Sequence, residues 1–254
     1  MKKSNTYLKK TVYALIFAVG VLLIWWIIAL IVNDNDLVPN LDAVALDMFK
    51  IFYVEQFYTA YFLTLLRSAI GFISSFVVGF LLALFATRNE VVKNLCSPLV
   101  SLVRIIPTMA IASLLWLIFS PSVASVIVCF TVVMPYVYTC SLTLLSTVGN
   151  EILEMAKAYE IPYKKVISGI YFPTLKNGFI TLLGTAFSFA LKITVSSEVV
   201  MGALKSLGGI INSAQNVYFS PSLVIAVTLW TVLTGLVVEI VLSALTAERR
   251  KVCK

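Results

Sequence analysis

The chain has 254 residues, 60% of them hydrophobic and 12% charged, with a formal net charge of +7. A soluble domain carries roughly 25% charged residues, so this composition, with a mean hydropathy of +1.00, excludes that class in favour of an integral membrane protein. The basic surplus calls for no nucleic-acid partner, because Lys and Arg collect on the cytoplasmic side of membrane proteins.

Residues 1–10 (MKKSNTYLKK) are basic and read as cytoplasmic, and residues 11–32 form a first apolar span. This span is too long for a signal-peptide core, and no small-residue cleavage site follows it. Residues 33–58 carry Asp34, Asp36, Asp42, Asp47 and Glu55 against Lys50 alone and read as an external loop. Further spans are expected over 60–86, 96–119, 123–146, 177–201 and 222–245, each about 20 residues or more, enough to cross the hydrocarbon layer. The third is the least regular, being interrupted by Pro98, Arg104 and Pro107. SPS at 120–122 makes an external turn, and a Gly- and Ser-rich external segment fills 202–221. Fourteen of the 19 Lys and Arg residues then fall in inside segments. The expectation is one all-α, polytopic transmembrane domain over 1–254 with six spans and both termini cytoplasmic.

Residues 147–176 hold the longest charge-rich interval of the second half, 153–173. Ile152, Met155, Ala156 and Tyr159 fall at i, i+3, i+4 and i+7, one helical stripe, while Glu151, Glu154 and Lys157 occupy the rest of that turn pattern. Pro162 suits the first turn of a second helix, with Tyr163, Val166, Ile167, Ile170 and Tyr171 as its stripe. Periodicity alone leaves two readings open: an ordinary loop packed on the bundle, or a docking element.

The stretch LEMAKAYEIPYKKVISGIYFP (153–173) resembles the EAA loop of ABC-importer permeases, written EAA, three residues, Gly, nine residues, I-x-L-P. Glu154, Met155 and Ala156 stand at the E-A-A positions, and Ile170, Phe172 and Pro173 at I, L and P. Glu160 stands where the family has its glycine, a helix-ending position where a left-handed conformation is common. TLLRSAIGFISSFVVGFLLAL (64–84) and SPLVSLVRIIPTMAIASLLWLIF (97–119) are similar to family spans. Glu198 followed by GALKSLGGIINSA (202–214) looks like the branch that carries sulfonates, taurine, nitrate or thiamine precursors.

The resemblance implies a type I ABC-importer permease fold in a bacterial inner membrane. It implies a pair of ATPase subunits docked on the loop through Glu154, Met155, Ala156, Tyr159, Glu160, Ile170 and Pro173. It also implies a second permease subunit, read here as an identical copy, and an extracytoplasmic substrate-binding protein that delivers the solute. The work of ATP hydrolysis falls to the separate ATPase chain. No GxxxxGK[ST] occurs in this one, and without histidine no ordinary catalytic triad can form, so no catalytic residue and no cofactor are expected. Cys96, Cys129, Cys140 and Cys253 show no paired spacing, which argues against a disulfide framework or a metal site.

Gly71, Ser75, Gly79 and Ala83 recur every four residues and permit close helix approach in lipid, with packing inside the chain favoured over a subunit contact. Gly184, Ser188, Lys192 and Ser196 give the fifth span one small, polar face. An intramembrane charge is a functional-site hypothesis by default. Ser188, Lys192, Ser196 and Glu198 are therefore candidates to line a pathway, and Lys192 would suit an anionic solute. Lys192 could equally pair with Glu198 or Glu239, or snorkel to an interface. Arg67 and Arg104 are better read as structural ion-pair or capping groups. Two other classes remain in view: a secondary transporter using Lys192, Glu198 and Glu239 as coupling charges, and a membrane scaffold or receptor without transport.

Overall fold

The computed structural model describes residues 2–147, 154–156, 158–166, 169 and 172–247. Among these residues all regular structure is helical. In chain order the helices are α1 (Lys2–Val32), α2 (Leu41–Lys50), α3 (Glu55–Arg88), α4 (Glu90–Ile105), α5 (Thr108–Trp116) and α6 (Pro121–Ser146). They continue with α7 (Tyr163–Val166), α8 (Phe172–Met201), α9 (Leu207–Asn216) and α10 (Pro221–Ala247), and a 3₁₀ turn joins α2 to α3. Four described segments, Glu55–Arg88, Pro121–Ser146, Pro173–Met201 and Pro221–Leu242, are by themselves long and apolar enough to cross a membrane. The apolar part of α1, Ile16–Val32, is shorter.

The expected single span over 96–119 is instead two helices, α4 and α5, bent by 84° at their junction. Two residues cause the break. Pro107 has no N–H to continue the ladder and disfavours helical backbone at the residue before it, and Ile106 is indeed extended at φ −67°, ψ 128°. α4 also begins earlier than expected, because the Asn89 side chain accepts a hydrogen bond from the Val91 N–H at 2.9 Å and caps it. Two short helices, α2 and α9, lie in segments read from the sequence as loops.

α8 is the centre of the bundle, packed by α3, α5, α6, α9 and α10. Its Leu182, Ala186, Ala190 and Ile193 meet Val128, Cys129, Val133 and Val137 of α6 and Ala112 of α5. On its other side Leu191 and Val195 meet Leu207 and Ile211 of α9, Val227 of α10 and Phe57 of α3.

α3 and α6 pack closely because α3 turns small residues toward α6. Thr64, Ser68, Gly71, Ser75, Gly79 and Ala83 are all buried. A Cβ on Gly71 would stand 2.6 Å from Cys129 Sγ, and one on Gly79 would stand 2.8 Å from the Met134 carbonyl oxygen. The small-residue row is thus spent on packing within the chain. The opposite face of α3 is exposed and apolar, with Phe62, Leu66, Ile70, Ile73, Val77 and Leu81. That is the composition hydrocarbon demands.

Candidate functional site

Three constellations stand out: a buried clamp at one end of α8, a polar strip along α8, and the short helical pieces beyond α6.

At the clamp, Glu198 is fully buried near the end of α8. Its Oε1 accepts from Arg67 Nη1 at 2.8 Å, and Oε2 accepts from Thr64 Oγ1 at 2.9 Å and from the Gly208 N–H at 3.4 Å. Thr64 Oγ1 in turn accepts from the Leu207 N–H at 2.9 Å, and Arg67 Nη2 donates to Ser122 Oγ at 3.0 Å. The first N–H groups of α9, which have no partner inside their own helix, are therefore satisfied by a carboxylate and a hydroxyl from α8 and α3. Ser206 accepts from the Gly209 N–H at 2.8 Å and completes the cap. Only glycine fits at 208, because a Cβ there would collide with the Cβ of Glu198 and the Val199 nitrogen. Glu198 is thereby separated from the other pathway candidates: it ties α3, α8 and α9 together and is closed to solvent.

The strip follows from which residues of α8 the other helices leave uncovered. Between Gly178 and Met201 the exposed residues are Thr181, Lys192 and Ser196, with Thr185 and Ser188 half-buried between them. At 3.6 residues per turn these five share an arc of about 80°. The uncovered face of the central helix is thus polar, while the exposed residues from Phe62 to Phe85 of α3 are apolar, as are Leu236, Val237 and Val241 of α10. The strip is walled by α10, where Gly235 accepts a hydrogen bond from Ser188 Oγ at 3.0 Å. On the other wall, Tyr136 of α6 donates to Thr185 Oγ1 at 3.4 Å. Lys192 forms no ion pair with a described residue: Arg67 occupies Glu198. Glu239 stands beside Gly184, eight residues or about 12 Å along α8 from Lys192. Arg104 Nη1 reaches only Thr139 Oγ1, at 3.5 Å.

In the third constellation, residues 154–156 and 158 are helical. The turn closes with the Tyr159 N–H donating to the Met155 carbonyl at 3.0 Å and the Ile161 N–H to the Ala156 carbonyl at 2.9 Å. Between them Glu160 has φ +51°. This is the left-handed helix ending that usually selects glycine, held here by a glutamate at a cost of about 1 kcal/mol. Glu154, Met155, Tyr159 and Glu160 are exposed, whereas Ala156 is buried within the chain, as is Val166 of α7. Of the expected stripe, Met155 and Tyr159 therefore point outward and Ala156 inward; Ile152 lies outside the described residues, as do Ile167, Ile170 and Tyr171. Pro173 is exposed in the first turn of α8, where proline is tolerated.

Sequence reading missed Tyr136, Thr181, Thr185 and Gly235 as neighbours of the strip. Thr181 and Thr185 carry the signal that could have found them, since they extend the Ser188–Lys192–Ser196 face at helical spacing. Tyr136 and Gly235 carry none, because their placement depends on which helices pack against α8.

A bundle of long apolar helices around a central helix defines a polytopic membrane protein. A family model for the binding-protein-dependent transport system inner membrane component matches residues 75–251. The chain belongs to that family. Its fold is that of the type I ABC-importer permeases. It is similar to the solved inward-facing MetNI methionine ABC transporter, with a TM-score of 0.63 and 13% identity over 77% of this chain and 96% of that one. An amino acid ABC transporter crystallised with histidines gives a TM-score of 0.64 and 18% identity, covering 79% and 96%. No curated protein sequence matches the chain. The chain is thus a permease subunit of an ABC importer, and an ion-gradient transporter built on Lys192, Glu198 and Glu239 is not favoured.

Proposed function

We propose that the chain forms half of the translocation pathway for a small solute bearing an acidic group, delivered by an extracytoplasmic substrate-binding protein, in a complex of two identical permease copies and two ATPase subunits. Both termini and residues 147–176 are cytoplasmic, and the pathway runs along the strip Thr181–Ser196 of α8. The observation that carries this reading is the uncovered polar face of the central helix. An ionisable side chain such as Lys192 on that face is costly against hydrocarbon; a water-filled route between two copies accommodates it. Lys192 supplies the cationic contact, with Ser188 and Ser196 beside it, and Glu198 supports the wall from behind. The exposed pair Met155 and Tyr159, with Glu154 and Glu160 around them, is the face offered to the ATPase, and buried Ala156 carries that face on the bundle; Ile170 and Pro173 belong to the same coupling motif. Sulfonates, taurine, nitrate and thiamine precursors are the solute classes suggested by the resemblance of the Glu198–Ala214 stretch.

Cysteine scanning tests the pathway. On a background lacking the native cysteines, single cysteines at 181, 192 and 196 are expected to react with a water-soluble maleimide in membranes, whereas one at Val237 on the apolar face of α10 is expected to remain unmodified. Equal, negligible labelling at all four positions would remove the pathway from α8.

A further inference from the structure

The same groove holds a second charge that the anion reading does not use. Glu239 is half-buried on α10 and borders an open pocket with Ile180, Thr181, Gly184, Thr185 and Ile240. The cavity is about 220 Å³, room for one small polar group rather than for a whole solute. Gly184 sets its depth: the Glu239 Cα would be 3.5 Å from a Cβ at that position, so α8 and α10 meet almost backbone to backbone at the pocket floor. α10 runs from Pro221 to Ala247, which leaves Glu239 about 12 Å from the helix end at 1.5 Å per residue. The apolar segment ends at Leu242, so Glu239 lies in its last turn, about 5 Å from the edge, where a half-buried carboxylate still carries a cost without a partner. No described basic residue forms an ion pair with it.

The hydrogen-bonding capacity around the carboxylate has one sign. Thr181 Oγ1 gives its proton to the Asn177 carbonyl at 2.9 Å. Thr185 Oγ1 gives its proton to the Thr181 carbonyl at 3.1 Å, with the Leu182 carbonyl at 3.3 Å. Tyr136 donates to Thr185. Both threonines and the tyrosine have therefore committed their donors, and what faces the pocket is lone pairs together with a carboxylate, which when ionised only accepts. An anion would find no donor here. A protonated amine, with N–H donors and a positive charge, matches the set.

We infer that the Glu239 pocket is a subsite for an ammonium-type group of the transported solute. Taken with Lys192 two turns away on the same strip, it assigns the solute to the amphoteric class, carrying both an acidic and an amino group. This inference rests on the pathway reading above. The two charges lie too far apart for a small solute to meet both at once, so they act in succession: Lys192 engages the acidic end and Glu239 the amine at a separate stop along the groove.

Charge-selective labelling tests the subsite in inside-out membrane vesicles containing the whole complex. A cysteine at Thr181 is treated with 2-(trimethylammonium)ethyl methanethiosulfonate or with the anionic 2-sulfonatoethyl reagent, each rate being normalised to that of a small thiol in solution. The cation is expected to be preferred by about tenfold, since one charge within roughly 6 Å at an effective dielectric of about 80 speeds the cation about threefold and slows the anion about threefold. Glu239→Gln, which keeps the side-chain shape, should abolish the preference without abolishing the labelling. A cysteine at Ser196 should show the opposite preference, removed by Lys192→Met. Methylammonium should slow the cationic reagent at position 181 more than an equal concentration of sodium does. Labelling at both positions with no charge preference, or equal protection by sodium, overturns the amine subsite while leaving the pathway standing. No labelling at either position overturns the pathway reading itself.

Discussion

Replacing Arg67 by methionine is the most informative single change at the clamp, because it removes one charge and keeps most of the side chain's bulk. Glu198 would retain Thr64 Oγ1 at 2.9 Å and the Gly208 N–H at 3.4 Å, yet it would stand fully buried without the guanidinium now 2.8 Å away. Abandoning one member of a buried pair costs about 3–5 kcal/mol. For a chain of this size each kcal/mol corresponds to about 2–4 °C in Tm, so a fall on the order of 10 °C is expected in detergent. Glu198→Gln added to Arg67→Met removes the stranded charge but leaves a carbonyl oxygen to accept from Thr64 and Gly208. The double variant should therefore recover most of the loss. Thermal unfolding of the wild type, both single variants and the double variant completes the cycle and isolates the coupling. If Arg67→Met shifts Tm by no more than about 1 °C, or if the two losses simply add, the pair does not hold α9 against α8 and α3.

Gly79→Val puts a branched side chain where a bare Cβ already stands 2.8 Å from the Met134 carbonyl oxygen and 3.1 Å from the Tyr138 nitrogen. Overpacking of this kind costs about 1–3 kcal/mol, to be read as a lowered Tm, with Gly20→Ala, where nothing lies within 4 Å, as the neutral comparison. At the other end, Met155→Ala combined with Tyr159→Ala removes two exposed apolar side chains without touching the packing of Ala156. The variant should insert normally and lose ATPase on co-purification; full retention of the ATPase would remove this face from the coupling contact.

How much of this was legible in the residues depends on what fixes each feature. The long helices are written in runs of apolar residues, and the α3 row of small residues disclosed a close helix contact, though which helix it meets is settled by packing. The left-handed turn at Glu160 was marked by its distance from Glu154 rather than by its chemistry; the backbone there kept the glycine conformation without the glycine. The α4–α5 break was visible in Pro107, but its 84° angle was not, since a proline fixes where a ladder stops and leaves the onward direction to packing. α9 escaped notice because its cap is remote: the groups that satisfy its first N–H groups sit on Thr64 and Glu198, 143 residues away in one case and 10 in the other. The Glu239 pocket was equally hidden, being assembled from α8 and α10 with Tyr136 donating to its edge.

The broken pair also constrains how the chain enters the membrane. α4 has 16 residues and α5 has 9, about 24 Å and 14 Å at 1.5 Å per residue, and neither crosses a hydrocarbon layer of about 30 Å alone. The bend at Ile106 and Pro107 leaves backbone polar groups outside a continuous ladder, which lipid alone cannot satisfy. α4 and α5 both lean on α6, which is synthesised after them, and α5 also leans on α8, which is later still. Insertion of this segment therefore cannot proceed strictly from the first helix to the last: the pair must wait, sheltered by the translocation machinery or by α3, until its later neighbours arrive to receive it.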